Sequence, residues 1–131
     1  MSTNPASDFK RDLVPRWYHQ LLVKLPNAEQ AIVDIVKLRD YALSTSHARG
    51  RHKARVFLAA LGLTAADAEE LRNALLESAR TGDAIPGASD EFGARYTIDF
   101  EMVRSTKRAR VRGCWIILDD GLPRLTSCYV L

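Results

Sequence analysis

The stretch "RYTIDFEMVRSTKRARVRGCWIIL" (95–118) decides the fold. In its first half the apolar residues Tyr96, Ile98, Phe100 and Met102 alternate with Thr97, Asp99 and Glu101. A period of two marks a strand with one face on a core and the other toward solvent. "RSTK" (104–107) interrupts the run, and "RARVRGCWIIL" (108–118) continues beyond it. Closing a hairpin on that turn sets Glu101 opposite Arg110 and Asp99 opposite Arg112. The other face then pairs Phe100 with Val111 and Tyr96 with Trp115. Facing charges of opposite sign add a few tenths of a kcal/mol to about 1 kcal/mol per pair, so pattern and charge agree on this register. "DDGLP" (119–123) is a second turn, and "RLTSCYVL" (124–131) a third strand. The same closure of the second hairpin sets Cys114 against Cys128.

Upstream of this meander the period lengthens to that of a helix. Asp34 is a candidate cap for a helix carrying Leu38, Tyr41 and Ala42. "STSH" (44–47) ends that helix and offers caps for the next, predicted from about Arg51 to Leu61. Ala54, Phe57, Leu58 and Leu61 form its core stripe, and Gly62 stops it. Thr64 and Asp67 have the spacing of a capping box. They open a third helix, with Leu71, Ala74, Leu75 and Ala79 inward and Gly82 at its end. "TGDAIPGASDEFG" (81–93) reads as loop by composition. "QAIVD" (30–34) is a short extended stretch, and "PRWYHQLLVKLPN" (15–27) a short helix or strand. The expected architecture is α+β: N-terminal helices packed on an antiparallel β-meander of three to four strands. Residues 1–24 are expected to be a partly disordered N-terminal extension, and 25–131 a single domain.

With 47% hydrophobic and 27% charged residues, the 131-residue chain can build a core and stay soluble. A net charge of +3 is too small to require a polyanionic partner. Its distribution says more: Arg49, Arg51, Lys53 and Arg55 stand together without an acid, as do Arg104, Lys107, Arg108, Arg110 and Arg112. Two cysteines make neither a disulfide framework nor a zinc site, and no His/Cys/Asp cluster has metal spacing. No metal or other cofactor is therefore expected. The polar N-terminus lacks the apolar segment of a signal peptide, and no run reaches a membrane span. A cytoplasmic setting without membrane contact is the expectation, and the oligomeric state stays unassigned.

"TSHARGRHKARVF" (45–57) holds two of the three histidines and a cluster of cations at a predicted helix start. Histidines titrate near neutrality and move protons in phosphodiester cleavage; fixed cations neutralise phosphoryl oxygens; a helix start adds free N–H groups. The plain alternative is a solvated basic first turn. On the helical wheel His52 points away from the core stripe, whereas Lys53 lies nearer its edge. Ser127 and Tyr129 share one face of the last strand and offer hydroxyls to a phosphate, or else line the core edge. Arg110 and Arg112 serve either as a charge ladder with Glu101 and Asp99 or as an anion clamp. "RWYH" (16–19) is either a stacking platform for bases or a staple for the terminal segment.

The residues Lys37-Leu38, Tyr41, His47, Gly50-Arg51, Lys53-Ala54, Phe57, Leu61-Gly62 and Ser127-Cys128-Tyr129-Val130 resemble the pattern of a small bacterial family of uncharacterised domains. That pattern is a KL..YLL helix, an H..GR.KA.FF...LG helix and a strand block ending near TCYV or TAYP. Its domains occur alone and at the C-termini of toxin-like proteins, and the resemblance covers about residues 25–131. More loosely, the order of elements is similar to the barnase–EndoU–colicin–RelE group of ribonuclease toxins, with Ser127 where the family pattern has threonine. The resemblance implies a metal-independent endoribonuclease toxin of a toxin–antitoxin or polymorphic-toxin system. RNA would be its substrate and a cognate antitoxin or immunity protein its partner. His47 would act as acid or base with Lys53, Ser127 and Tyr129 around the phosphate, and Arg51, Arg110 and Arg112 would bind substrate. The alternative is a non-catalytic interaction module: an antitoxin, an immunity protein or an RNA-binding domain. In the catalytic case His47 and Lys53 should converge with Ser127 and Tyr129 on one groove.

Overall fold

A computed structural model describes residues 21–131. Residues 1–20 of the predicted extension (1–24), with "RWYH" (16–19), lie outside the described residues; of its last four residues, Val23 is held on the sheet by two backbone bonds with Ala84, of 2.9 and 2.7 Å. Helices come first and the sheet follows, an α+β fold. A 3-10 turn at Ala28–Gln30 precedes α1, which opens at Ile35–Lys37 and continues as a π-turn over Leu38–Ala42. Asp34 caps α1 as its spacing suggests, its Oδ1 accepting from Val36 N–H at 2.9 Å. Helix α2 (Arg51–Leu61) and helix α3 (Ala68–Thr81) follow. The sheet is β1 (Ala84–Asp90), β2 (Gly93–Arg104), β3 (Lys107–Ile117) and β4 (Pro123–Val130), antiparallel throughout and in chain order. No helix among the described residues is long and apolar enough to cross a membrane.

The first hairpin has the register that its alternation implies. Asp99 faces Arg112, Glu101 faces Arg110, Phe100 faces Val111 and Tyr96 faces Trp115. Arg104 already pairs with Lys107, so Ser105 and Thr106 make the turn, Ser105 in the left-handed region at φ 56°. The ion pairs divide unevenly. Arg112 grips Asp99 with two bonds of 2.7 and 2.9 Å, whereas Glu101 meets Arg108 at 3.6 Å rather than the Arg110 opposite it.

Three expectations fail for identifiable reasons. Residues 84–90, read as loop, form β1. An edge strand tolerates Pro86 and Gly87 because its register shifts between Pro86 and Ser89, where ladder bonds are interrupted. The second hairpin is one residue out: Cys114 faces Ser127 and Cys128 faces Gly113. A bulge at Thr126 absorbs the difference, its hydroxyl donating to Cys114 O at 3.0 Å. The two free thiols therefore lie on opposite faces of the sheet, and burial pushes the Cys128 thiol up to about 12, which keeps it a packed, protonated group. Finally Leu58, counted into the α2 stripe, is 44% exposed.

Helices cover one face of the sheet. Ile98, Val111 and Trp115 on that face, Phe57 and Leu61 of α2, and Leu71 and Leu75 of α3 are all buried to 1% or less. Gly62 ends α2 in the left-handed region (φ 68°), with Leu63 N–H reaching back to Phe57 O, so the chain reverses directly into the core residue Leu63. The capping residues of α3 behave as read: Thr64 N–H and hydroxyl both donate to Asp67 Oδ2, at 2.9 and 3.1 Å.

Arg104 ties this corner together. Its guanidinium donates to Leu61 O and Gly62 O at 3.2 and 2.9 Å and pairs with Glu70 and Asp67 at 2.9 and 3.1 Å. Thus it neutralises the carbonyl end of α2 and the acidic start of α3 at once. Arg104→Ala is expected to cost about 2 kcal/mol in urea unfolding, the loss of charge-assisted bonds to partly buried acceptors. Hydrogen bonding from Thr64 and the charge of Arg104 hold the Asp67 carboxyl below its usual range. A depressed carboxylate stabilises fully above its unfolded value, and that stability is lost as pH falls through the lower folded value. Unfolding titrations should therefore show stability falling below about pH 4, the ordinary carboxylate value, and falling less steeply in Arg104→Ala.

Candidate active site at the edge of the last strand

Gly50 sets the site. At φ −86° its backbone is ordinary, so torsional freedom does not explain it. A Cβ there would run into the Tyr41 carbonyl oxygen and lie 3.0 Å from the carbonyl carbon. A glycine lets the start of α2 sit directly on the end of α1. The turn before it is organised by His47, whose Nδ1 accepts from Arg49 N–H and Gly50 N–H, both at 3.0 Å. The turn that leads into α2 is thus held by the imidazole rather than the Ser44 or Ser46 hydroxyl, and those two hydroxyls bond each other at 3.1 Å. The ring packs on Tyr41, with centroids 4.5 Å apart.

From this fixed start Lys53 reaches the last strand. Its Nζ lies 5.0 Å from the centroid of the Tyr129 ring. Lys53 and Ser127 line one groove of about 250 Å³ between α1 and the start of β4, together with Tyr41 and Lys37. Lys53 and Tyr129 also border a shallower groove with His52 and Val56. Lys53 is common to both. On the outer face of the sheet Tyr129 faces Arg112, which faces Asp99. Asp99, then the Tyr129 hydroxyl, raise the Arg112 guanidinium above its ordinary value. A row of carboxylate, guanidinium, phenol and ammonium thus crosses β2, β3, β4 and α2.

Lys53, Ser127 and Tyr129 come together at the α2–β4 edge, and Arg112 stands behind Tyr129. His47 is not among the residues lining either groove; it touches the first through Tyr41. Arg51 is exposed and outside both linings, and Arg110 is exposed on the outer face. His52, which the helical wheel sent to solvent, is indeed exposed, yet it is the histidine that shares a groove with Lys53 and Tyr129. Its place follows from α2 crossing the sheet's edge, which no helical period reports. Lys37 and Tyr41 were the other omissions. Their i, i+4 spacing is a usable signal, and Tyr41, placed by the sequence on the same helix as Leu38 and Ala42, is 38% exposed. Among the described residues no three His, Cys, Asp or Glu side chains cluster as metal ligands.

The geometry makes His47 the group that holds the turn before α2, so its loss should register in stability. His47→Ala is expected to cost about 1–2 kcal/mol in a urea melt, the loss of its two bonds to the Arg49 and Gly50 N–H groups. His52→Ala should leave the melt unchanged. Equal stability of His47→Ala and the parent would contradict this role in the turn.

Helices on one face of an antiparallel meander, with a basic helix start brought to the outer strand, define the class. The chain belongs to the family described as a domain of unknown function, DUF6883, whose profile it matches over residues 24–131. No curated protein matches it.

Proposed function

We propose that the protein is a metal-independent endoribonuclease, the toxin of a toxin–antitoxin or polymorphic-toxin system. The observation that supports this reading most is Lys53 standing at Tyr129 with Ser127 on the adjoining groove. In this scheme a backbone phosphate of RNA sits at the α2–β4 edge. Lys53 neutralises its non-bridging oxygens, and the Tyr129 and Ser127 hydroxyls donate to them. Arg112, held by Asp99, fixes the phenol from behind. The 2′-oxygen bonds to phosphorus, the 5′-oxygen leaves, and a 2′,3′-cyclic phosphate results. His52 takes the 2′-hydroxyl proton and returns a proton to the leaving oxygen, the role with the typical 10²–10⁴-fold worth of general acid–base catalysis. His47 holds the helix start that carries Lys53.

One observation favours the second reading, a non-catalytic RNA-binding or antitoxin-like module. His47 spends its acceptor nitrogen on backbone N–H groups, and among the described residues no side chain orients the exposed His52. Induced expression in a bacterial host separates the two. A ribonuclease stops growth, and Lys53→Ala restores it. Undiminished growth at high soluble yield of the parent protein selects the binding module.

A further inference from the structure

The groove beside α1 has features that phosphate binding does not use. β4 is the outer strand of the sheet, and residues near Ile32 pair with its start alone. Ile32 N–H donates to Pro123 O at 2.9 Å, and Leu125 N–H donates to Ile32 O at 3.0 Å. Asp34 then caps α1 and the chain leaves the edge. Farther along, Leu131 N–H bonds Arg110 O on the β3 side. Ladder alternation, with Tyr129 opposite Arg112 and Ser127 opposite Cys114, turns the backbone of Tyr129 and Ser127 toward β3 and that of Cys128 and Val130 outward. Cys128 lines the groove, over a floor of Leu38, Ala42 and Leu125 and under the cations Lys37 and Lys53. The one acid in that lining, Asp34, has Oδ1 committed to Val36 N–H.

We infer that this groove takes an extended acidic peptide from a partner protein, which joins the outer edge of β4 as a strand. It continues the pairing where Ile32 leaves off. The outward backbone groups of Cys128 supply ladder bonds, the apolar floor takes alternate side chains, and Lys37 and Lys53 meet carboxylates. An apolar wall beside a strand edge that Ile32 alone pairs with among the described residues suits a peptide better than a polynucleotide, whose phosphates reach Lys53 from the Tyr129 side. A bound peptide engages Lys53, so it competes for the residue proposed to hold RNA. The peptide site itself stands whether or not RNA is cut.

The test uses the ¹⁵N-labelled full chain and a blocked hexapeptide of alternating glutamate and valine, with the lysine–valine hexapeptide as control. The acidic peptide should bind saturably and slow hydrogen exchange at the Cys128 amide by about tenfold or more. Lys37 is exposed, so Lys37→Glu should fold normally. It should weaken binding by about tenfold, roughly 1.4 kcal/mol. The inference is overturned by lack of saturable binding to about 1 mM, the weakest affinity class considered. Equal binding of the lysine peptide also overturns it, as does unchanged Cys128 exchange at saturation. So does protection of that amide by an oligouridylate and not by the peptide.

Discussion

Lys53→Ala should lower the rate of RNA cleavage by about 10²–10³-fold, the loss typical when one preorganised charge-stabilising donor leaves an active site. Lys53 is the residue common to both grooves, and its Nζ lies over the Tyr129 ring at 5.0 Å. Stability should hardly change. The side chain is half-buried, and a cation–π contact of this kind is worth about 0.5–1 kcal/mol. Rate and stability are thereby separable in one variant. Tyr129→Phe keeps the ring under Lys53 and removes only the hydroxyl, so its smaller loss isolates the phosphate contact. Arg49→Ala, at an exposed position outside both grooves, serves as the charge control. A fluorogenic RNA oligonucleotide gives the rates and urea melts give the stabilities. Cleavage by Lys53→Ala within about threefold of the parent, less than 1 kcal/mol of barrier, would remove Lys53 from the site.

Gly50→Ala should destabilise the protein by about 3 kcal/mol, at the upper end for a forced insertion into packed structure. Two effects oppose each other. At an ordinary φ of −86°, replacing glycine restricts the unfolded chain and stabilises by about 0.4–1 kcal/mol. Against this, the new methyl runs into the Tyr41 carbonyl, which is backbone and cannot swing away. The clash wins, because relief requires the start of α2 to lift from the end of α1. That movement also disturbs the turn held by His47 and carries Lys53 away. The variant should therefore lose RNA cleavage even at low temperature, where it stays folded. Urea unfolding measures the first effect, and single-turnover assays on the folded fraction the second. A Gly50→Ala protein as stable as the parent would mean that the two helices do not meet as described.

What the sequence disclosed depended on how local the cause was. The β2–β3 register followed from alternation and facing charges across a short turn, because both are fixed by neighbours in the chain. The ends of α2 and the Thr64–Asp67 box were legible for the same reason. The β4 register was not, since a single bulge at Thr126 leaves no mark in composition yet moves Cys128 from Cys114 to Gly113. β1 was hidden because Pro86 and Gly87 are turn residues everywhere except at an irregular edge. At the site, residue types suggested Lys53, Ser127 and Tyr129. The different placing of the two histidines was invisible. His47 holds the turn before α2 through hydrogen bonds from Arg49 and Gly50, and His52 reaches a groove through the tertiary placing of α2 on β4.

The most direct test of the central claim is incubation of the purified protein with RNA and with the DNA of the same sequence in excess EDTA, followed by end-group analysis. The account predicts that RNA is cut to fragments ending in 2′,3′-cyclic phosphate and 5′-hydroxyl, that DNA stays intact, and that Lys53→Ala cuts RNA about 10²–10³-fold more slowly. Intact RNA under these conditions, or equal cutting of RNA and DNA, would contradict it.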